Sequence, residues 1–198
     1  EYFTKAEELG DDNCYLYLGF IYRNGDYVIP NISKAIEYFE KAGESGDSYG
    51  YFHLGRMFIG SQYVEIDYEK AISYFVKGAD MGNEDCMCEL GELYDDDSLE
   101  IFDPKKAIHW LTKATEKNAN GSFSLLSRIY VFDKKFKNYK RALSILEEGL
   151  EKGRIELLSQ TVKNMIMKRL TLLLMALAAA FSASAQSARL LPPQINKD

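Results

Sequence analysis

The residues best suited to chemistry are few and poorly placed for it. Cys86 and Cys88 resemble half a metal site, but two positions apart on a helix they point about 200° from each other. Cys14 and Cys86 occupy a position held elsewhere in the chain by Gly50 and Ser122, which marks both as buried packing residues. The only histidines, His53 and His109, lie in unlike surroundings, and His109 is expected at the surface beside Trp110. A Cys–His nucleophile would need their chance meeting across the fold. Asp95-Asp96-Asp97 lacks the alternating acids, the glycine and the later glutamate of a calcium loop, so a polar turn is expected there. Glu89 and Glu92 would stand side by side on one helix, not face each other across a substrate. No glycine-rich phosphate loop occurs. The sequence therefore predicts no catalytic group, no metal site and no cofactor.

Composition and charge narrow the class of partner. The chain has 198 residues, 46% apolar and 27% charged, with only 4 prolines to interrupt helices. Its net charge of −6 is unevenly placed. Residues 155–198 hold five basic side chains against two acidic ones, leaving residues 1–154 with 19 basic and 28 acidic, a net of −9. A body this acidic repels phosphate backbones, so nucleic acid is not an expected partner. Three cysteines cannot all pair within one chain, which argues against a disulfide framework. The cytoplasm is the expected location of the acidic part.

Comparing the chain with itself shows what must position these residues. Leu18-Gly19, Leu54-Gly55 and Leu90-Gly91 recur every 36 residues, and Leu126-Ser127 continues the series. Four residues before each Leu stands a small residue (Cys14, Gly50, Cys86, Ser122), and four after it an aromatic (Tyr22, Phe58, Tyr94, Tyr130). A second set follows: Lys34-Ala35, Lys70-Ala71, Lys106-Ala107 and, one residue early, Arg141-Ala142. Each unit reads as two helices. The first of each pair is expected near 12–23, 48–59, 84–94 and 120–131; the second near 32–45, 67–81, 104–117 and 138–152. Gly46, Gly82 and Gly153, with Asn118 in the third unit, sit where a helix must end in a left-handed residue. A glycine inside a helix costs about 1 kcal/mol relative to alanine. Its recurrence after each Leu predicts close backbone packing between neighbouring helices. The units fall at 13–47, 48–83, 84–119 and 120–154, and residues 1–12 match the end of a preceding unit.

This run of small residue, Leu-Gly, aromatic, loop, Lys-Ala and aromatic resembles the Sel1-like repeat (SLR), a 36-residue relative of the tetratricopeptide repeat. The resemblance covers residues 1–154 and implies an all-α, right-handed α-solenoid of stacked helix-turn-helix repeats, used as an adaptor or scaffold. Two loops depart from the pattern: the third carries Asp95-Asp96-Asp97 in place of a glycine-containing turn, and the fourth, 132–138, is basic and lacks glycine. Some secreted members of the family bridge the helices of each repeat with a cysteine pair; no such pair exists here.

Solenoids of this type turn their first helices toward a concave, ligand-holding surface. On a helical wheel, one face of these helices changes its occupants from unit to unit. It carries Tyr17, Phe20 and Asn24, then Tyr49, His53 and Arg56, then Glu89 and Glu92. These eight are the candidate partner-binding residues, a stripe aromatic at one end and acidic at the other. Tyr17 and Phe20 are expected as an exposed pair. The alternative is an ordinary solvated face. The expected function is an adaptor that binds a protein or peptide there. Rival readings are an envelope-associated or periplasmic repeat protein with an enzyme-like role, and a structural part of a longer array with no ligand on these units.

From Met167 the character of the sequence changes. A basic start (Lys168, Arg169), an apolar run over 170–181 and an Ala-x-Ala site before Gln186 resemble a bacterial secretory signal peptide, out of place so late in a chain. Such a segment reads as a junction with another reading frame, as a membrane anchor over 170–185, or as an apolar helix over 155–182 capping the solenoid, followed by a loose tail over 183–198. The apolar run is shorter than the about 20 residues that span a bilayer, so no membrane partner is expected unless that anchor is real.

Overall fold

The computed structural model describes residues 14–60 and 64–153; the expectations for 1–12 and 155–198 lie outside the described residues. These form eight α-helices and no strand. In order they are α1 (Tyr15–Asn24), α2 (Ile32–Glu44), α3 (Ser48–Gly60), α4 (Tyr68–Asp80), α5 (Glu84–Asp95), α6 (Pro104–Glu116), α7 (Ser122–Phe132) and α8 (Tyr139–Glu151). Each odd helix packs on the even helix after it, and each even helix on the next odd one. The outcome is a stack of four helical hairpins, an α-solenoid, with one apolar cluster running through it from Ala35 to Leu146.

Each hairpin closes in the same way. The residue before every even helix is Asn or Asp (Asn31, Asp67, Asp103, Asn138), and its side chain accepts a backbone N–H of the first turn. The backbone N–H of that same cap donates back to the aromatic residue near the end of the preceding odd helix. Asn31 reaches the Tyr22 carbonyl at 2.8 Å, Asp67 that of Phe58 at 2.8 Å, Asp103 that of Tyr94 at 2.9 Å and Asn138 that of Tyr130 at 2.7 Å. The loops between can therefore differ in composition without changing the hairpin. In the third, Asp96 accepts from the Ser98 N–H and hydroxyl, the polar turn expected there. At the far end of the even helices, Gly46, Gly82, Asn118 and Gly153 all take positive φ.

The recurring lysines are fixed by the recurring aromatics. Lys34, Lys70 and Lys106 lie over the rings of Tyr22, Phe58 and Tyr94, at 4.9, 4.3 and 5.0 Å from their centres. Lys41, Lys77 and Lys113 lie over Tyr38, Tyr74 and Trp110, one turn earlier on the same helix.

The glycine after each Leu has a different purpose from the one expected. A Cβ at Gly19 would meet the Phe39 ring at 2.5 Å; one at Gly55 would strike Phe75, and one at Gly91 would strike Leu111. The glycine makes room for a large side chain of the even helix, and Phe39, Phe75 and Leu111 are all buried in the core. Close backbone approach occurs one turn earlier, where a Cβ at Gly50 would collide with the Phe39 carbonyl oxygen and the Gly43 backbone nitrogen. Cys14, Cys86 and Ser122, at the same place in other repeats, are all buried as expected.

Candidate interaction surface

The eight stripe residues come from three consecutive odd helices: Tyr17, Phe20 and Asn24 on α1, Tyr49, His53 and Arg56 on α3, Glu89 and Glu92 on α5. They do not form one solvated row. Tyr17 is 58% exposed and Tyr49 46%, and Asn24, Arg56 and Glu92 are exposed as well, while Phe20, His53 and Glu89 are half-buried. The expected exposed pair of Tyr17 and Phe20 is thereby corrected. Phe20 turns edge-on to His53 and to Phe39, with ring centres 4.6 and 5.3 Å away. A wheel treats each helix alone, whereas the next repeat covers part of that face.

One offset orders these contacts. Phe20 meets His53, Arg56 pairs with Glu89 at 2.9 Å, and Asp95 pairs with Arg128 at 3.0 Å. Each pair is 33 residues apart, three short of the 36-residue period. A side chain thus meets the residue one turn earlier on the next odd helix. Comparison at equal positions misses such partners, which is why Asp95 and Arg128 were not among the predicted residues. Complementary residues at an offset of 33 would have pointed to them.

The local electrostatics follow from this packing. Burial among the rings of Phe20, Phe39 and Phe52 holds His53 neutral, with a pKa lowered to about 4; the charges of Arg23 and Arg56 push the same way. Burial raises the Glu89 carboxyl, against the pull of Arg56. The Asp85 carboxylate, and then partial burial, push the Tyr49 hydroxyl above its ordinary range. Arg23 lies 4.9 Å over the Phe20 ring.

Little of this can do covalent chemistry. The Glu89 carboxylate is engaged by Arg56, and Glu92 stands exposed on the same helix. Burial raises the Cys86 thiol and pushes that of Cys88 up to about 12, so neither is a thiolate near neutrality. His109 is exposed and packs edge-on to Trp110. Among the described residues no group of three His, Cys, Asp or Glu could hold a metal ion. No helix among them is long and apolar enough to cross a membrane.

Comparison with known proteins agrees with this architecture. A crystal structure of a Sel1 repeat protein from Oxalobacter formigenes superimposes with a TM-score of 0.63 at 21% identity, covering 77% of this chain and 61% of that one. The protective antigen c5321 of uropathogenic Escherichia coli, which displays an SLR fold, gives a TM-score of 0.63 at 27% identity, covering 74% of this chain and 32% of that one. The chain thus spans less than two thirds of the length of either relative. A search of curated proteins gives no match. A family model described as the Sel1 repeat matches residues 13–47, 48–83 and 84–118. Proteins with this repeat generally mediate protein–protein interaction and are typically non-enzymatic scaffolds. With those three matches covering more than half of its length, and the same hairpin stack in its structure, the chain belongs to the Sel1 repeat family.

Proposed function

We propose that this chain is an adaptor whose odd helices hold a protein or peptide partner along the inner stripe. The observation that carries the proposal is the pair of tyrosines on consecutive odd helices, Tyr17 and Tyr49, 58% and 46% exposed. They stand beside side chains already fixed by the contacts of Phe20 with His53 and of Arg56 with Glu89. A surface whose rotamers are set before binding loses little entropy when a partner docks, and exposed tyrosines are efficient anchors. The acidic body favours a protein over a nucleic acid. The sparse, odd number of cysteines fits a reducing compartment, and we place the repeats in the cytoplasm.

The test is affinity capture from cell lysate with the full chain and with the double variant Tyr17→Ala, Tyr49→Ala, read by mass spectrometry. Both residues are exposed, so circular dichroism is expected to show equal helicity. A partner held by the parent and lost by the variant supports the stripe. Capture of the same proteins by both, or of none by either, overturns it.

A further inference from the structure

A recess on the surface lies away from the inner stripe, between the third and fourth inter-helix loops. Two adjoining cavities, of about 280 and 750 Å³, share the walls Asp97, Phe102, Phe132 and Asp133. Phe102 is 41% exposed and Phe132 55%, and the buried Ile129 also lines the smaller cavity. Two phenylalanines left open at the mouth of a cavity are an unusual use of large apolar side chains on a surface.

The charges around the smaller cavity do not balance. Asp95, Asp97 and Asp133 face it, with Arg128 as its one cationic wall. Arg128 is already engaged by Asp95, donating through Nη2 at 3.0 Å and Nε at 3.3 Å. Burial raises the Asp95 carboxyl against the pull of Arg128, and the Asp133 and Asp97 charges add to the rise. The carboxylates therefore sense one another across the space. Asp133 accepts the backbone N–H groups of Lys135 and Phe136, which neutralises none of its charge. Asp97 is exposed and makes no ion pair among the described residues. The cations Lys105, Lys134 and Lys135, with the acid Asp103, line the larger cavity and not the smaller one.

We propose that this groove is a second docking site, taking an arginine or lysine side chain of a partner peptide into the acidic cavity and an adjacent aliphatic residue onto Phe102 and Phe132. The phenylalanine faces suit both parts of such a ligand, since an alkyl stem packs on them and a cation is attracted to them. Lys105, Lys134 and Lys135 line only the larger cavity, so the basic residue is seated in the smaller one, among Asp95, Asp97 and Asp133.

The experiment is a titration of the full chain, followed by amide NMR, with the peptide N-acetyl-Arg-Leu-amide and, separately, with N-acetyl-Glu-Leu-amide. The expected result is saturable shifts at Asp97, Phe132 and Asp133 with the arginine peptide alone, at a dissociation constant of about 1 mM. Asp97→Lys and Phe132→Ala, both at exposed positions, are each expected to weaken it by about fivefold, the scale of one surface contact. Four outcomes would overturn the proposal: no saturable shift in the groove, equal response to the glutamate peptide, shifts confined to the stripe of α1, α3 and α5, or unchanged affinity in both variants. Shifts of the same amides on dilution without peptide would place a second copy in the groove and overturn it too.

Discussion

Between pH 7 and pH 4, the imidazole of His53 and two half-buried carboxyls pull stability in opposite directions. His53 has a folded pKa of about 4 against an ordinary 6.5. Below pH 6.5 the unfolded chain binds a proton that the folded chain refuses, so stability falls as pH drops toward 4. Glu89 and Asp95 are raised in the fold. They take up protons more readily when folded and add stability over part of the same range. Comparing the parent with His53→Leu isolates the histidine. The parent is expected to lose on the order of 1 kcal/mol more than the variant between pH 6.5 and 4.5, a figure reduced for the partial exposure of the ring. Urea midpoints measured at each pH check this, and parallel profiles would show that the ring charges without cost. The same residue shows the limit of a sequence reading. His53 stood on the changing face of its helix, and only the packing shows that the rings of Phe20, Phe39 and Phe52 cover part of it.

At the scale of the element, the glycines divide into those that seat a neighbour and those that do not. A methyl at Gly50 meets backbone atoms of α2, which cannot turn aside as a side chain can. Gly50→Ala is therefore expected to destabilise the fold by about 1–3 kcal/mol, although alanine is the better helix former by about 1 kcal/mol. Gly60, at the end of α3, has nothing within 4 Å of an added Cβ, so Gly60→Ala is expected to be neutral or stabilising by up to about 1 kcal/mol. Thermal unfolding of the two variants decides between packing and propensity. The hairpin closure is an element-scale device that the sequence carried in plain view. Asn31, Asp67, Asp103 and Asn138 recur one step before the helices, but their second bond, from backbone N–H to the preceding helix, has no residue signature.

Across the whole molecule, contacts run mainly between successive helices, so stability is expected to be a sum of hairpins and their interfaces. Phe123 is fully buried in α7, and Phe123→Ala is expected to cost about 3–5 kcal/mol. Hydrogen exchange should accelerate in α7 and α8 while α2, α3 and α4 keep their protection. Uniform acceleration would show that the stack unfolds as one unit.

The sequence by itself determined the helical class, the period, the number of hairpins in the described region and the helix ends to within three residues. It could do so because each of these rests on local spacing: apolar residues at helical intervals, small residues at crossings, glycine or asparagine where the backbone must turn left-handed. The tertiary structure alone decided which stripe residues reach solvent, what fills the space above Gly19, Gly55 and Gly91, and where a groove opens. The exposure of the stripe is set by the slip of one odd helix past the next, which pairs residues 33 apart in a chain whose period is 36. That slip is a compromise among side-chain volumes across the stack, and no single repeat contains it.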